Sequence, residues 1–159
     1  MTKHLRLVVL VALALIFTGC TGSFGDYPTT TEEVTEANLV RSLQFIDDDQ
    51  LGPVYSFSLA IPDEWVGQLQ TRNDGNTIYF DYMTEYGAAP IFFIEALSVS
   101  QFWEQVGGYP GIYEDIQWTR DTYFIYHLPR DAYYSGLSKD LYQVLAAQVP
   151  GVITSFQLQ

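Results

Sequence analysis

Residues 55–62 read YSFSLAIP, and this stretch is the clearest strand signal in the chain. Large apolar side chains recur at every second position, which places them on one face of a sheet. These side chains are Tyr55, Phe57, Leu59 and Ile61. Pro62 ends the strand because proline has no N–H to donate to a neighbouring strand. The stretch therefore predicts a sheet with one buried face, followed by a turn at 63–65.

A hairpin signal follows at 73–76, where the chain reads NDGN. Asp-Gly and Gly-Asn readily adopt the positive φ that tight primed turns require. The turn predicts two paired strands, near 67–72 and 77–83. The two faces of the second strand carry Ile78, Phe80 and Tyr82 on one side and Thr77, Tyr79 and Asp81 on the other.

Residues 91–97 follow a predicted loop at 86–89 and are apolar on both faces apart from Glu95. An apolar run of this length is typical of a strand at the centre of a sheet, where both faces are covered. Two further strands are predicted at 113–119 and 122–128. The sheet therefore has five or six strands.

Two segments have helical patterns. A short helix is predicted at 100–106, capped by Ser98 or Ser100 and ended by glycines at 107–108. A longer helix is predicted to begin at the N-cap Ser138. Its buried positions, spaced by four residues, are Leu141, Leu145 and Val149.

The proline and glycine at 150–151 are expected to break or kink this last helix. Residues 152–156 then form a second short helical stretch or, alternatively, a closing strand. Together the elements predict an α+β domain over 51–159. It has an antiparallel sheet of five or six strands, one main C-terminal helix and a short helix near 100–106.

The opening segment YSFSLAIPDEW at 55–65 and the closing ITSF at 153–156 resemble small secreted bacterial domains of the PsbP/Mog1-like group. The resemblance spans about 105 residues. It implies a nonenzymatic role in the bacterial envelope or in assembly, and it carries over no catalytic residues.

The N-terminus has the features of a signal peptide. A basic start containing Lys3 and Arg6 precedes an unbroken apolar run of about eleven residues at 7–17. A helix of that length reaches only about 16 Å, roughly half the hydrocarbon thickness of a bilayer. The run therefore predicts a cleaved signal segment over 1–19 and not a permanent membrane span.

The residues Phe17-Thr18-Gly19-Cys20 resemble the lipobox of bacterial lipoproteins. The resemblance implies that Cys20 receives a diacylglyceryl group and becomes the first residue of the mature chain, with palmitate among its acyl chains. Phe17 departs from the pattern, in which leucine is commonest at that position. The alternative is a secreted protein cut elsewhere, with Cys20 unmodified.

Residues 20–50 are rich in Thr and Glu, and we interpret them as an acidic tether between the lipid and the domain. Within them, 39–46 fits either two helical turns or a short strand. The acidic run at 47–49 invites a calcium interpretation, but Leu51 and Ser58 occupy positions where the loop pattern needs ligands. A solvated acidic linker is the simpler interpretation.

Charge and composition exclude several classes of function. The 159-residue chain has 7 Lys plus Arg against 19 Asp plus Glu, a formal net charge of −12. Without a basic stripe, nucleic acid is not expected as a partner. One Cys and two His are too few for a Cys/His zinc site or a disulfide framework. No metal or other cofactor is expected.

Loss of 1–19 removes Lys3 and Arg6, which leaves five basic against 19 acidic residues and a mature charge of −14. An anionic domain is repelled by anionic headgroups within a Debye length of about 8 to 10 Å. The mature protein is therefore expected to be attached to the membrane through the lipid on Cys20 alone.

Catalysis would have to come from carboxylates. Asp81, Glu95 and Glu104 lie near aromatic residues that could stack on a sugar, and Glu95 interrupts an apolar strand. The single His of the mature chain, His127, has no Gly-x-Ser-x-Gly turn to work with and is interpreted as a structural residue. A small cell-wall glycan hydrolase is thus the alternative function.

Aromatic residues at predicted turns are the other candidate site. They are Trp65, Trp103, Tyr109, Trp118, Tyr133 and Tyr134. Aromatic side chains in loops can form a docking patch for a protein or a glycan, or they can cover the open ends of a small core. Of these residues, Trp65, Trp103, Tyr109 and Trp118, together with Glu95, are the candidate ligand-binding set. The leading hypothesis is a lipid-anchored, extracytoplasmic envelope protein with a binding or assembly role.

Overall fold

The computed structural model describes residues 29–48, 50–108, 113–130 and 136–159, with the backbone alone at 106–108. These residues form an α+β fold of eleven strands and two helices, α1 at Val99–Gly108 and α2 at Lys139–Thr154. The strands are β1 Thr30–Glu33, β2 Asn38–Leu43, β3 Ile46–Asp47, β4 Gln50–Leu51, β5 Tyr55–Ala60, β6 Leu69–Asp74, β7 Thr77–Thr84, β8 Gly87–Ser98, β9 Tyr113–Trp118, β10 Thr122–His127 and β11 Gln157–Leu158. A 3-10 helix at Asp63–Trp65 takes the place of the predicted turn.

The largest sheet has six antiparallel strands in the order β1-β6-β7-β8-β10-β9. The prediction of an antiparallel sheet of five or six strands is confirmed. Strand β8 pairs with β7 on one side and β10 on the other, so the apolar run at 91–97 does lie inside the sheet. Its apolar residues are needed on both faces because both faces are covered there.

The hairpin predicted at 73–76 is confirmed as the β6–β7 connection. Asp74 pairs with Thr77, which leaves Gly75 and Asn76 as a two-residue turn. Gly75 has a φ of 61°, a conformation that glycine adopts without strain. The predicted loop at 86–89 is shorter than expected, since β8 already begins at Gly87.

A second sheet has the order β11-β5-β2. Strand β5 is its central strand and contains the alternating pattern from which the fold was predicted. Phe57, Leu59 and the following Ile61 are buried and Tyr55 is half-buried, so the predicted apolar face is confirmed.

The predicted tether over 20–50 is wrong from residue 30 onward. Strand β1 forms one edge of the six-stranded sheet, and β2 pairs along its whole length with β5. Val34, Leu39 and Leu43 are buried in the core. Only a few apolar residues are spread through this polar segment, but these three reach the core in the folded chain, where β2 pairs with β5. The domain therefore begins before residue 51.

The acidic run at 47–49 belongs to a small hairpin and not to a linker. Strands β3 and β4 pair with each other, and Asp48 lies at the turn with a φ of 51°. The Asp47 carboxylate accepts a hydrogen bond of 2.5 Å from the Ser98 hydroxyl. The hairpin is thus attached to the start of α1. Residue 49 lies outside the described residues.

Helix α1 confirms the short helix predicted near 100–106, with Ser98 as its cap. The Ser98 hydroxyl accepts from the Gln101 N–H at 3.0 Å, and the Gln101 side chain accepts from the Ser98 N–H at 3.1 Å. This reciprocal pair is a capping box, which satisfies two N–H groups at the helix start.

Helix α2 begins at the predicted cap, since the Ser138 hydroxyl accepts from the Leu141 N–H at 3.2 Å. Two expectations are wrong: Leu141 is exposed, and the helix is not broken at Pro150 but continues to Thr154. Buried side chains on both sides of Pro150, Val149 and Val152, hold the helix together because their packing outweighs the local cost of proline. Residues 152–154 are helical, as the first of the two alternatives predicted, and a separate short strand, β11, follows and pairs with β5.

The six-stranded sheet has two different faces. Its inner face packs on the second sheet and α2 to form the core, where Phe80 stacks on Phe92 at 4.1 Å. Its outer face is partly covered by α1, whose Phe102 stacks on Tyr123 at 4.0 Å. No helix in the described part of the chain is long and apolar enough to cross a bilayer.

Candidate functional site

A row of side chains crosses five strands on the outer face. Strand register aligns Arg72 with Tyr79, Tyr79 with Phe93, Phe93 with His127 and His127 with Tyr113. The Arg72 guanidinium lies 4.0 Å from the centre of the Tyr79 ring, and the ring-to-ring distances that follow are 5.2, 4.6 and 6.1 Å. Sequence reasoning missed this row because it depends on the register of strands distant in the chain.

The row meets a second aromatic cluster beneath α1. Phe102, Leu97 and Ile125 are buried there, and the rings of Tyr113 and Tyr123 pack against them. Tyr113 belongs to both groups, since its ring lies 6.0 Å from Phe102 and 6.1 Å from His127. The outer face therefore presents one continuous set of aromatic groups from β7 to β9.

Two tryptophans at the β9 end of this face are exposed. Trp103 on α1 is 61% exposed and Trp118 at the end of β9 is 67% exposed. Trp118 is paired with Tyr123, so the two side chains point to the same side of the sheet. Trp103 contacts the same cluster through Phe102 at 5.6 Å. We call Trp103, Tyr113, Trp118 and Tyr123 the aromatic surface.

The other predicted aromatic positions divide into two groups. Trp65 is only 1% exposed and lies in the core, so its prediction as a ligand-binding residue is wrong. The 3-10 helix at Asp63–Trp65 turns its ring inward, which matches the alternative that turn aromatics cover the core. Tyr109, Tyr133 and Tyr134 lie outside the described residues, as does the predicted lipid site Cys20.

Glu95 lies on the outer face beside the row, and its side chain is 18% exposed. Its carboxylate is 3.2 Å from His127 Nε2, and it accepts from the amides of Gln105 and Asn76 at 3.4 Å each. Glu95 does not lie at an edge of the sheet. Instead, a central strand places Glu95 where α1 and two neighbouring strands supply donors.

The candidate carboxylates do not meet one another in the described contacts. Glu104 lies on α1, is exposed, and accepts from the Ser100 hydroxyl at 3.5 Å. Asp81 is buried and forms an ion pair of 3.1 Å with Arg72. Each of the three acids therefore has its own hydrogen-bond or ion-pair partners.

The Arg72–Asp81 ion pair lies at the end of the row that is formed by β6 and β7. The Asp81 side chain is 3% exposed and the Arg72 side chain 31% exposed. Burial raises the pKa of the neighbouring Tyr79 hydroxyl, and the positive charge of Arg72 partly offsets that rise. Tyr79 therefore stays neutral and packs as an aromatic group.

A shallow groove of about 350 Å³ runs between β9 and the end of α2. It is lined by Glu114, Asp115, Ile116, Pro150, Ile153 and Phe156. At its rim the Tyr126 hydroxyl donates to Glu114 at 2.5 Å. Burial and this hydrogen bond raise the pKa of Tyr126 to about 12. We call this depression the β9 groove.

Within the described ranges, no group of three or more His, Cys, Asp or Glu side chains is placed to hold a metal ion. No protein-family model matches this chain, no curated protein matches its sequence, and no solved structure matches its fold. The fold and the site define a small α+β protein with an exposed aromatic surface.

Proposed function

We propose that this chain is a lipid-anchored bacterial envelope protein whose single domain binds a macromolecular partner and carries out no catalysis. The observation that carries the proposal is the exposure of Trp103 and Trp118 on one side of the sheet. Exposing two tryptophan rings to water is unfavourable in free energy, and tryptophan side chains are common at the centre of binding surfaces.

The lipobox at 17–20 supports the anchor, with the lipid on Cys20. Thr30, the first residue of β1, lies ten positions after Cys20. Covalent geometry limits the distance between these two residues to about 35 Å. The domain is therefore held close to the lipid surface, closer than a tether of thirty residues would allow.

The position of β1 also orients the domain. Strand β1 lies at one edge of the six-stranded sheet and β9 lies at the opposite edge. Five strand spacings separate them, or about 24 Å. The aromatic surface at the β9 end therefore lies at the edge opposite the strand that follows Cys20 in the chain. A mature charge of −14 adds repulsion from anionic headgroups, so the partner is an envelope protein or glycan and not the membrane.

The absence of catalysis in the proposal is supported by the separate partners of Asp81, Glu95 and Glu104. The resemblance of 55–65 and 153–156 to PsbP/Mog1-like domains implies the same nonenzymatic role. In this proposal α2, with 16 residues against ten in α1, is the main helix of the fold.

The anchor is tested by metabolic labelling. We expect cells that produce the full chain in the presence of labelled palmitate to incorporate label into it, because Cys20 is the only thiol in the sequence. The matched control Cys20→Ser should carry no label and should be released from membranes. An unlabelled wild-type chain would contradict the anchor.

The binding surface is tested by site-specific photocrosslinking in the cells that encode the chain. A photoreactive phenylalanine analogue at position 103 or 118 is expected to give discrete crosslinked products. The matched control is position 86, because Tyr86 is 79% exposed but lies at the β7–β8 turn, outside the aromatic surface.

Equal yields at 86 and at 103 or 118 would contradict a specific surface. So would the absence of products at 103 and 118 while the variants remain folded. The composition of the products, protein or glycan, identifies the class of partner.

A further inference from the structure

We infer that the free edge of β9 binds an extended polypeptide segment that carries basic side chains on one face and apolar side chains on the other. The segment would add to the six-stranded sheet as a seventh strand. This inference rests on the proposed function and makes the partner a protein.

Strand β9 is the last strand of the six-stranded sheet. Within the described segments, no strand pairs with the side of β9 that faces away from β10. It has six residues, Tyr113–Trp118, and no proline or lysine. Proline and lysine are common devices that keep an edge strand from pairing. The backbone N–H and C=O groups along this edge can therefore pair with an added strand.

The opposite edge is a poorer template. Strand β1 has four residues, all of them exposed, and the depression that contains Glu32 and Glu33 is lined mainly by polar groups. The β9 edge differs because it is two residues longer and the aromatic surface flanks it on the outer face. On the inner face, the β9 groove combines polar groups with apolar side chains that include Ile116, Ile153 and Phe156.

Register assigns one acid to each face of β9. Register pairs Asp115 with Ile125 and so places its side chain on the outer face with Tyr113 and Trp118, while its position next to the bulge also makes it a border residue of the β9 groove. Glu114 pairs with Tyr126 and lies on the inner face, where the Tyr126 hydroxyl already binds it. The free acid is therefore on the outer face.

This charge pattern indicates which kind of polypeptide segment binds at the β9 edge. Two copies of β9 pairing edge to edge would bring their acidic side chains together, which is unfavourable. A Lys or Arg on the outer face of an added strand would instead meet Asp115 and the ring of Trp118, and both attract a cation. The mature charge of −14 draws such a segment from a distance.

On the inner face the added strand would lie over the β9 groove. The apolar part of its lining is formed by Ile116, Ile153 and Phe156, which lie beside polar groups such as Glu114 and Thr154. Ile116 is the extra residue of a β-bulge opposite the step from Phe124 to Ile125, and it packs against the core. Valine or isoleucine side chains of the added strand would occupy this groove. The occupant thus alternates basic and apolar residues.

The test uses the mature chain with Cys20→Ser and a fluorescent ten-residue peptide that alternates lysine and valine. Binding is measured by fluorescence anisotropy at about 0.15 M salt, where long-range attraction is screened. We expect saturable binding. Asp115→Asn or Trp118→Ala should each weaken it by about tenfold, the size of a lost charge-assisted or cation–π contact. Glu64→Gln, an exposed acid outside β9, should leave it unchanged.

Two further peptides distinguish strand addition from simple charge attraction. One is N-methylated at every lysine and the other at every valine, with charge unchanged. An added strand turns alternate N–H groups toward its neighbour, so only one of the two should lose binding. Thermal unfolding of each protein variant confirms that it is folded.

Equal binding of both methylated peptides, or no effect of Asp115→Asn in a folded protein, would overturn the inference. Absence of peptide binding would also overturn it. If crosslinks at 103 and 118 persist in that case, the proposed function stands and only the strand-addition mode fails. A glycan in those crosslinks would likewise reject the peptide and keep the binding surface.

Discussion

Replacing Leu39 by alanine is expected to lower the free energy of unfolding by about 2 to 5 kcal/mol, the usual cost of removing a buried leucine side chain. Leu39 is 4% exposed and packs in the main core from strand β2. A tether residue would give no such effect. Urea unfolding of the Cys20→Ser chain, followed by tryptophan fluorescence, measures the change.

The matched control is the next residue in the same strand. Val40 is 44% exposed, so Val40→Ala should change stability by less than about 0.5 kcal/mol. No loss for either substitution would return this segment to the tether interpretation, and similar losses for Leu39→Ala and Val40→Ala would contradict the burial of Leu39 as the cause. The comparison also controls for strand propensity, since both substitutions introduce alanine into β2.

Replacing Arg72 by alanine is expected to cost about 3 to 5 kcal/mol of stability, because it leaves the buried Asp81 carboxylate without its cation. Asp81 Oδ2 is 3.1 Å from Arg72 Nε, and its other oxygen, Oδ1, is buried without a hydrogen-bond partner. The same substitution also removes the cation over the Tyr79 ring. Urea unfolding again measures the change.

Two variants show whether the buried charge is the cause. Glu32→Gln breaks the 3.3 Å pair with Arg41, but Glu32 is 62% exposed, so the cost should stay below about 1 kcal/mol. In an Asp81→Asn background, Arg72→Ala should lower the free energy of unfolding by clearly less, because no buried carboxylate is then left without its cation. Equal losses in both backgrounds would assign the effect to packing on Tyr79 instead.

Local sequence patterns were sufficient to predict much of the fold. The alternation in β5, the turn at Gly75 and the Ser98 and Ser138 caps depend on residues close together in the chain, and all four are present. Strand β1 was not predicted, and for the segment of β2 the local pattern left a short strand and two helical turns open. Their polar sequence resembles a linker, and they become strands only because β6 and β5 offer partners.

The candidate site was predicted in part. Trp103 and Trp118 are exposed as expected, whereas Trp65 is buried because a short 3-10 helix directs it inward. The surroundings of Glu95 could not be inferred, since His127, Gln105 and Asn76 come from three distant elements. Residue spacing carries no information on which side chains face each other across strands.

The sequence by itself determined the acidic charge, the lipobox-like N-terminus and the α+β class, because composition and short-range periodicity are properties of neighbouring residues. Only the tertiary structure decided where the domain begins, which carboxylates have partners and which aromatic side chains remain exposed. Those outcomes depend on strand register and on the packing of α1 over the outer face, which bring together groups far apart in the chain.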